Sequence, residues 1–226
     1  MKKIRNLFVL SILSFVVISC GGPQGEKAQT GDAMDAPETG IDYITYSIIP
    51  EESNLRWLGT KPTGEHYGGV DVTEGELRME DDRIVGGMIV FDMQNISNED
   101  LKDSPEYQEK LVNHLKSADF FNVSEHPRAS FEIVSIEPLD AEQSNGNDVT
   151  HRVSGNLTIK DISRSIGFPV KVEMQDGKLM AEAPQFLIDR TEWDIRYKSK
   201  KFFDDLKDQF IHDDIGISFV VVASGS

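Results

Sequence analysis

Apolar and polar residues alternate along most of this chain, and the clearest run spans 149–172. In its first half Val149, His151, Val153, Leu157 and Ile159 fall on one side, opposite Thr150, Arg152, Ser154, Asn156, Thr158 and Lys160. The second half sets Arg164, Ile166, Phe168, Val170 and Val172 against Ser165, Gly167, Pro169, Lys171 and Glu173. A period of two turns one apolar face inward and one wet face outward, which predicts an antiparallel hairpin bending near Asp161. No Asn-Gly pair marks the bend, so the turn type stays open. Pro169 has no amide proton to give a ladder and is expected at an edge or a bulge.

Further strands are predicted over 43–49 (ended by Pro50), 54–59 around Trp57, 70–79, 83–93, 129–136 and 179–188. Ile215, Ile217, Phe219 and Val221 mark the last one. The stretch 64–69, with His66 and Tyr67 among glycines, reads as a loop, and Gly75 and Gly86-Gly87 as bulges or bends. The alternation breaks once. Ser104-Pro105-Glu106 has a serine cap, a proline in the first turn and an acid at the positive end. Tyr107, Leu111 and Leu115 then repeat at helical spacing, so one helix should end near Ser117. Roughly eight or nine strands, one short helix and no helical crossovers make the chain all-β, as a closed antiparallel barrel or a sandwich.

The first nineteen residues are a different object. Lys2, Lys3 and Arg5 precede an apolar run over 7–18 that is too short to span a bilayer, so 1–19 reads as a secretory signal. Val17-Ile18-Ser19-Cys20 resembles a bacterial lipobox, which implies cleavage before Cys20 and lipidation of its thiol. A signal that happens to contain a cysteine and a simple membrane anchor are the alternatives. As the only cysteine, Cys20 has no disulfide partner within the chain. Residues 20–40 are rich in Gly, Ala, Gln, Thr, Asp and Glu, with no apolar cluster, and are expected to form a flexible tether about 25 Å in mean reach. The folded domain is then 41–226. The expected location is the bacterial cell envelope, on the periplasmic side and most simply at the outer membrane.

Charge narrows the partners. The chain carries 23 basic against 39 acidic side chains, a net charge of -16, and three of the cations lie in the leader. Such a surface is wrong for nucleic acid and for broad adhesion to anionic lipid. Membrane attachment is therefore assigned to Cys20. The five histidines show no HxH or HxxxH pairing, so no metal site is expected. With no Gly-x-Ser-x-Gly, phosphate loop or diagnostic carboxylate pair, neither a catalytic residue nor a cofactor is assigned.

The segments Gly64-Glu65-His66-Tyr67-Gly68-Gly69-Val70, Phe91-Asp92-Met93 and His114-Leu115-Lys116-Ser117-Ala118-Asp119-Phe120-Phe121 come in that order. After them follow His126-Pro127 with Phe131, Val153-Ser154-Gly155-Asn156-Leu157-Thr158-Ile159 and Asp189-Arg190-Thr191-Glu192-Trp193. From about residue 43 to the end, this order resembles the YceI-like family of bacterial exported proteins. The resemblance implies a lipocalin-like antiparallel barrel of about eight strands whose lumen holds a polyisoprenoid or an isoprenoid quinone, without catalysis. An eight-stranded barrel is either filled by its own side chains or holds one ligand. The inward set Trp57, Phe91, Phe131, Leu157, Phe168, Phe186 and Phe219 is compatible with both. The ligand-contact candidates are His66, Tyr67, Phe91, His114, Phe120, Phe131, Leu157, Phe168, Phe186, Arg190 and Trp193.

Each has a blander alternative. His66 can be an exposed loop histidine, His114 a helix anchor, Phe120 a plug, and Arg190 with Trp193 a structural corner. Arg196, Lys198, Lys200 and Lys201 could hold an anionic head at the rim or simply balance Asp194, Asp204, Asp205 and Asp208. The expected partners are a hydrophobic lipid and the membrane through the anchor; a homodimer is compatible with the sequence. An enzyme acting on an apolar substrate and a lipid-anchored scaffold with a filled barrel are the rival readings.

Overall fold

The computed structural model describes residues 22–36, 42–81, 83–140, 144 and 148–225. The expected signal segment and Cys20 lie outside these residues. In chain order the elements are β1 (Glu26–Lys27), β2 (Gln29–Asp32), β3 (Ile44–Ile48), β4 (Asn54–Lys61), β5 (Gly64–Glu80) and β6 (Arg83–Asp92). Helix α1 (Pro105–Lys116) follows, then β7 (Arg128–Pro138), β8 (His151–Ile159), β9 (Ile162–Gln175), β10 (Lys178–Asp189) and β11 (Asp214–Gly225). β10 pairs with both β9 and β11, which closes the sheet. β3 and β4 share one place in the wall between β5 and β11, separated by the 3-10 turn Pro50–Glu52. The result is an eight-staved antiparallel barrel with one helix, one of the two architectures the alternation allows and the one the family resemblance implies.

The connections from β5 to β6 and from β9 to β10 lie at one end of the barrel, which we call the far end. At the other end, the mouth, stand the turn at 62–63, the segment 93–127 with α1, the turn at 160–161 and the loop 190–213. The hairpin turn is made by Lys160 and Asp161, both left-handed, with φ of 51° and 59°. This is the two-residue geometry that the strand twist favours. No Asn-Gly pair signals it because tertiary contacts hold it: Lys160 Nζ donates to the Asp194 carbonyl at 3.0 Å.

Four expectations need correcting. The stretch 64–69 is the first part of a 17-residue strand. Its glycines serve close approach. Segment 97–99 is laid along this strand, with Ser97 N donating to Gly69 O at 2.9 Å and Glu99 N to Tyr67 O at 2.9 Å. An added Cβ at Gly68 would lie 1.9 Å from the Ser97 carbonyl oxygen. Ser104 precedes α1, but its hydroxyl makes no cap hydrogen bond. Tyr107, placed on the buried helical stripe, is 66% exposed.

The fourth concerns the tether. Residues 26–32 form one extended stave between β9 and β10, where those two strands part above Lys171 and Glu182. On one side Glu26 and Lys27 run parallel to Phe186 and Leu187; on the other, Gln29 to Asp32 run antiparallel to Gly167 to Arg164. Ala28 is buried, and Asn156 clasps Met34 with two hydrogen bonds of 2.8 Å. The segment has no apolar cluster because one alanine and backbone hydrogen bonds suffice to fill the gap. Pro169 falls in β9 between its last partner on β10 and its first on β2, where a missing donor is tolerated.

Candidate ligand-binding cavity

The barrel is unevenly filled. Phe131, Phe168, Phe186 and Phe219 meet across its middle. Phe168 and Phe186 stack with ring centroids 4.3 Å apart, and Phe219 stands edge-on to Phe168 at 5.6 Å. Such contacts favour a rigid layer. Below them only about 30 Å³ remains, between aliphatic residues such as Leu77, Ile133 and Val153. Above them opens a cavity of about 350 Å³, the scale of a small-molecule site. Its walls are almost wholly apolar, from strand residues such as Leu55, Ile89, Leu157 and Ile217 and from Leu111 and Leu115 of α1.

Polar groups gather at the mouth. Lys61 and His66 come from the hairpin of β4 and β5, His114 from the last turn of α1, and Lys198 and Gln209 from the loop before β11. Neither Lys61 nor Lys198 has an ion-pair partner among the described residues. The Thr60 hydroxyl oxygen is buried in the same wall without a hydrogen-bond partner among the described residues. His66 Nδ1 lies 2.8 Å from Asp100 Oδ2. A carboxylate only accepts, so Nδ1 carries the hydrogen and Nε2 is left without a partner among the described residues. Burial would raise the Asp100 carboxyl, but hydrogen bonds from His66, the Tyr67 amide and Asn98 outweigh it and hold the carboxyl below its ordinary value. His114 Nε2 is 3.0 Å from Asp119 Oδ2, with the Phe120 and Tyr197 rings edge-on at 5.0 and 4.7 Å.

Of the candidates read from the sequence, His66, Phe91, His114, Phe120, Phe131, Leu157, Phe168, Phe186 and Arg190 line this cavity. Tyr67 and Trp193 do not. Tyr67 alternates with His66 and faces outward, 39% exposed. Trp193 is fully buried behind the wall, its indole donating to the Leu157 carbonyl at 3.0 Å. Arg190 reaches the cavity but spends its guanidinium on the loop: Nη1 donates to Ile195 O at 2.7 Å, Nε to His212 O and Nη2 to Ile211 O, both at 3.2 Å. Burial lowers the Arg190 pKa against the pull of Asp213 and Asp189. Sequence reasoning missed Ile195, Tyr197, Gln209 and Ile211, which the loop 190–213 folds over the cavity. Only the spacing Ile195-x-Tyr197 hinted at them.

A closed antiparallel barrel with an apolar cavity at one end and a polar mouth is a barrel of the lipocalin type. The YceI-like domain matches residues 46–223, and the chain belongs to that family. The fold is similar to that of BcnA from Burkholderia cenocepacia, at 17% identity over 78% of this chain and 99% of that one, with a TM-score of 0.60. It is also similar to a polyisoprenoid-binding domain from Saccharophagus degradans implicated in plant cell wall breakdown. There the identity is 14%, over 81% of this chain and 99% of that one, with a TM-score of 0.56. No functionally curated protein matches.

Proposed function

We propose that this protein binds one apolar lipid of the polyisoprenoid or isoprenoid-quinone type, without turning it over, while tethered to the cell envelope through Cys20. The tail occupies the cavity down to the phenylalanine layer, and the head stays among Lys61, His66, Lys198 and Gln209. The observation that carries this reading is the split filling of the barrel, a packed far half against an apolar hollow at the mouth. Each CH₂ taken from water gains about 0.8 kcal/mol. A bilayer shelters the tail equally well, so net transfer is nearly balanced and proximity to the membrane decides exchange. Family membership and the polyisoprenoid-binding relative support the ligand class.

The test is organic-solvent extraction of the purified full chain followed by mass spectrometry. An isoprenoid lipid should be recovered repeatedly, and less of it from Leu157→Trp, whose larger side chain narrows the cavity, while thermal unfolding stays cooperative. Repeated recovery of no lipid from the unaltered chain would end the carrier reading.

A further inference from the structure

The loop 194–213 stands at the mouth on two feet, Lys198 and Gln209, which both line the cavity. Ile211 N donates to Lys198 O at 3.0 Å and ties the feet together. Between them the chain runs outward. Ser199 is fully buried, and its carbonyl accepts the amides of Phe202 at 3.2 Å and Phe203 at 3.0 Å. This turn holds two neighbouring phenylalanines at 45% and 49% exposure. The Arg196 guanidinium lies 4.7 Å over the Phe202 ring, and Lys201 bonds back to Asp189 at the barrel rim. Lys200 and Lys201 precede the pair and Asp204 and Asp205 follow it; exposed aromatics beside cations are a composition that settles at a membrane surface.

Two further observations choose the bilayer as the occupant. The loop has five basic and five acidic side chains in a chain of net charge -16, so it interrupts the acidic surface. Ile44 and Met174 are also exposed at the far end, where Glu80, Asp81 and Asp176 stand beside Arg83 and Lys178. The second observation is where the described chain begins. An added Cβ at Gly22 would lie 3.3 Å from the His212 ring, and His212 N donates to Thr60 O at 3.0 Å, at the mouth. Cys20 and the apolar run are the residues just before Gly22. A membrane-held N-terminus therefore leaves the barrel beside this loop.

We propose that the loop 194–213, led by Phe202 and Phe203, docks on the bilayer and turns the mouth toward it, so that lipid enters without crossing water. This deepens the lipid-carrying reading and rests on it. The test uses the full chain carrying Asp204→Cys or Met174→Cys, purified in detergent and labelled with a nitroxide. The labelled chain is returned to vesicles of phosphatidylethanolamine and phosphatidylglycerol, and intact mass shows whether Cys20 is acylated and so closed to the label. The ratio of collisions with lipid-soluble oxygen to those with a water-soluble nickel complex should be severalfold higher at 204 than at 174. Adding Phe202→Ser with Phe203→Ser should bring 204 down to the level of 174.

Equal ratios, a higher ratio at 174, or no effect of the serine pair would overturn the proposal. So would immersion in native membranes but not in pure lipid, which would assign the surface to an envelope protein. Lipid extraction from the same preparation separates the two readings. A loaded cavity with 204 in water removes the docking alone, and an empty cavity with 204 immersed removes lipid carriage alone.

Discussion

At Gly68 a single methyl group would collide with the Ser97 carbonyl 1.9 Å away, while β5 cannot retreat from its ladder with β4. Gly68→Ala is expected to cost about 3 kcal/mol or more and to lower the unfolding midpoint by on the order of 10 °C, read by calorimetry. Phe168 is the opposite case, a large side chain whose removal leaves space. It touches Phe131, Phe186 and Phe219 at the level where the hollow stops. Phe168→Ala should cost about 4 kcal/mol and join the upper cavity to the small void below. The bound tail should then be longer, as mass spectrometry of extracted lipid would show. At this scale the sequence was legible where alternation assigns a face: Leu157, Phe168 and Phe186 fall inward because the pleat leaves them no other side. Tyr67 was misplaced because 64–69 read as a loop, and in a loop alternation assigns nothing.

Among the elements, the loop 190–213 shows how a segment without repeating secondary structure is fixed. Arg190 binds three loop carbonyls, and Asp189 holds Thr191 and Lys201. Burial would raise the Asp189 carboxyl, but hydrogen bonds from Lys201 and Thr191 outweigh it and hold it below the ordinary 3.8. The folded chain then takes up that proton less readily than the unfolded one. The stabilisation is complete above about pH 4 and is lost as the pH falls through the lowered value. Acid unfolding should show this limb, and Asp189→Asn should be less stable at neutral pH while losing that part of the pH dependence. The stave 26–32 makes a separate prediction. Asn156→Ala removes both bonds to Met34, which should cost about 1–2 kcal/mol and speed amide exchange over 29–34 more than elsewhere. None of this was legible, since backbone pairing leaves no compositional mark and a loop held by one arginine has no period.

For the whole molecule, the pattern of two predicts a barrel or a sandwich and leaves a barrel's filling open, because inward aromatics serve a solid core and a lined cavity equally. Coordinates decide this by height. Four phenylalanines gather at one level, and above it aliphatic and aromatic residues line an open cavity. The mouth is then shaped by insertions between strands, 93–127 and 190–213, whose lengths the sequence reports but whose paths it does not.

The stave at 26–32 has one more consequence. It lies upstream of residues 46–223, the part shared with relatives. A version trimmed to those limits would have a slot in its side at the depth of Ile166 and Phe186, flanked by two unsatisfied strand edges. Bare edges recruit other edges. Such a trimmed barrel should associate edge-to-edge, visible as dimers or larger species in light scattering, and should leak its guest sideways.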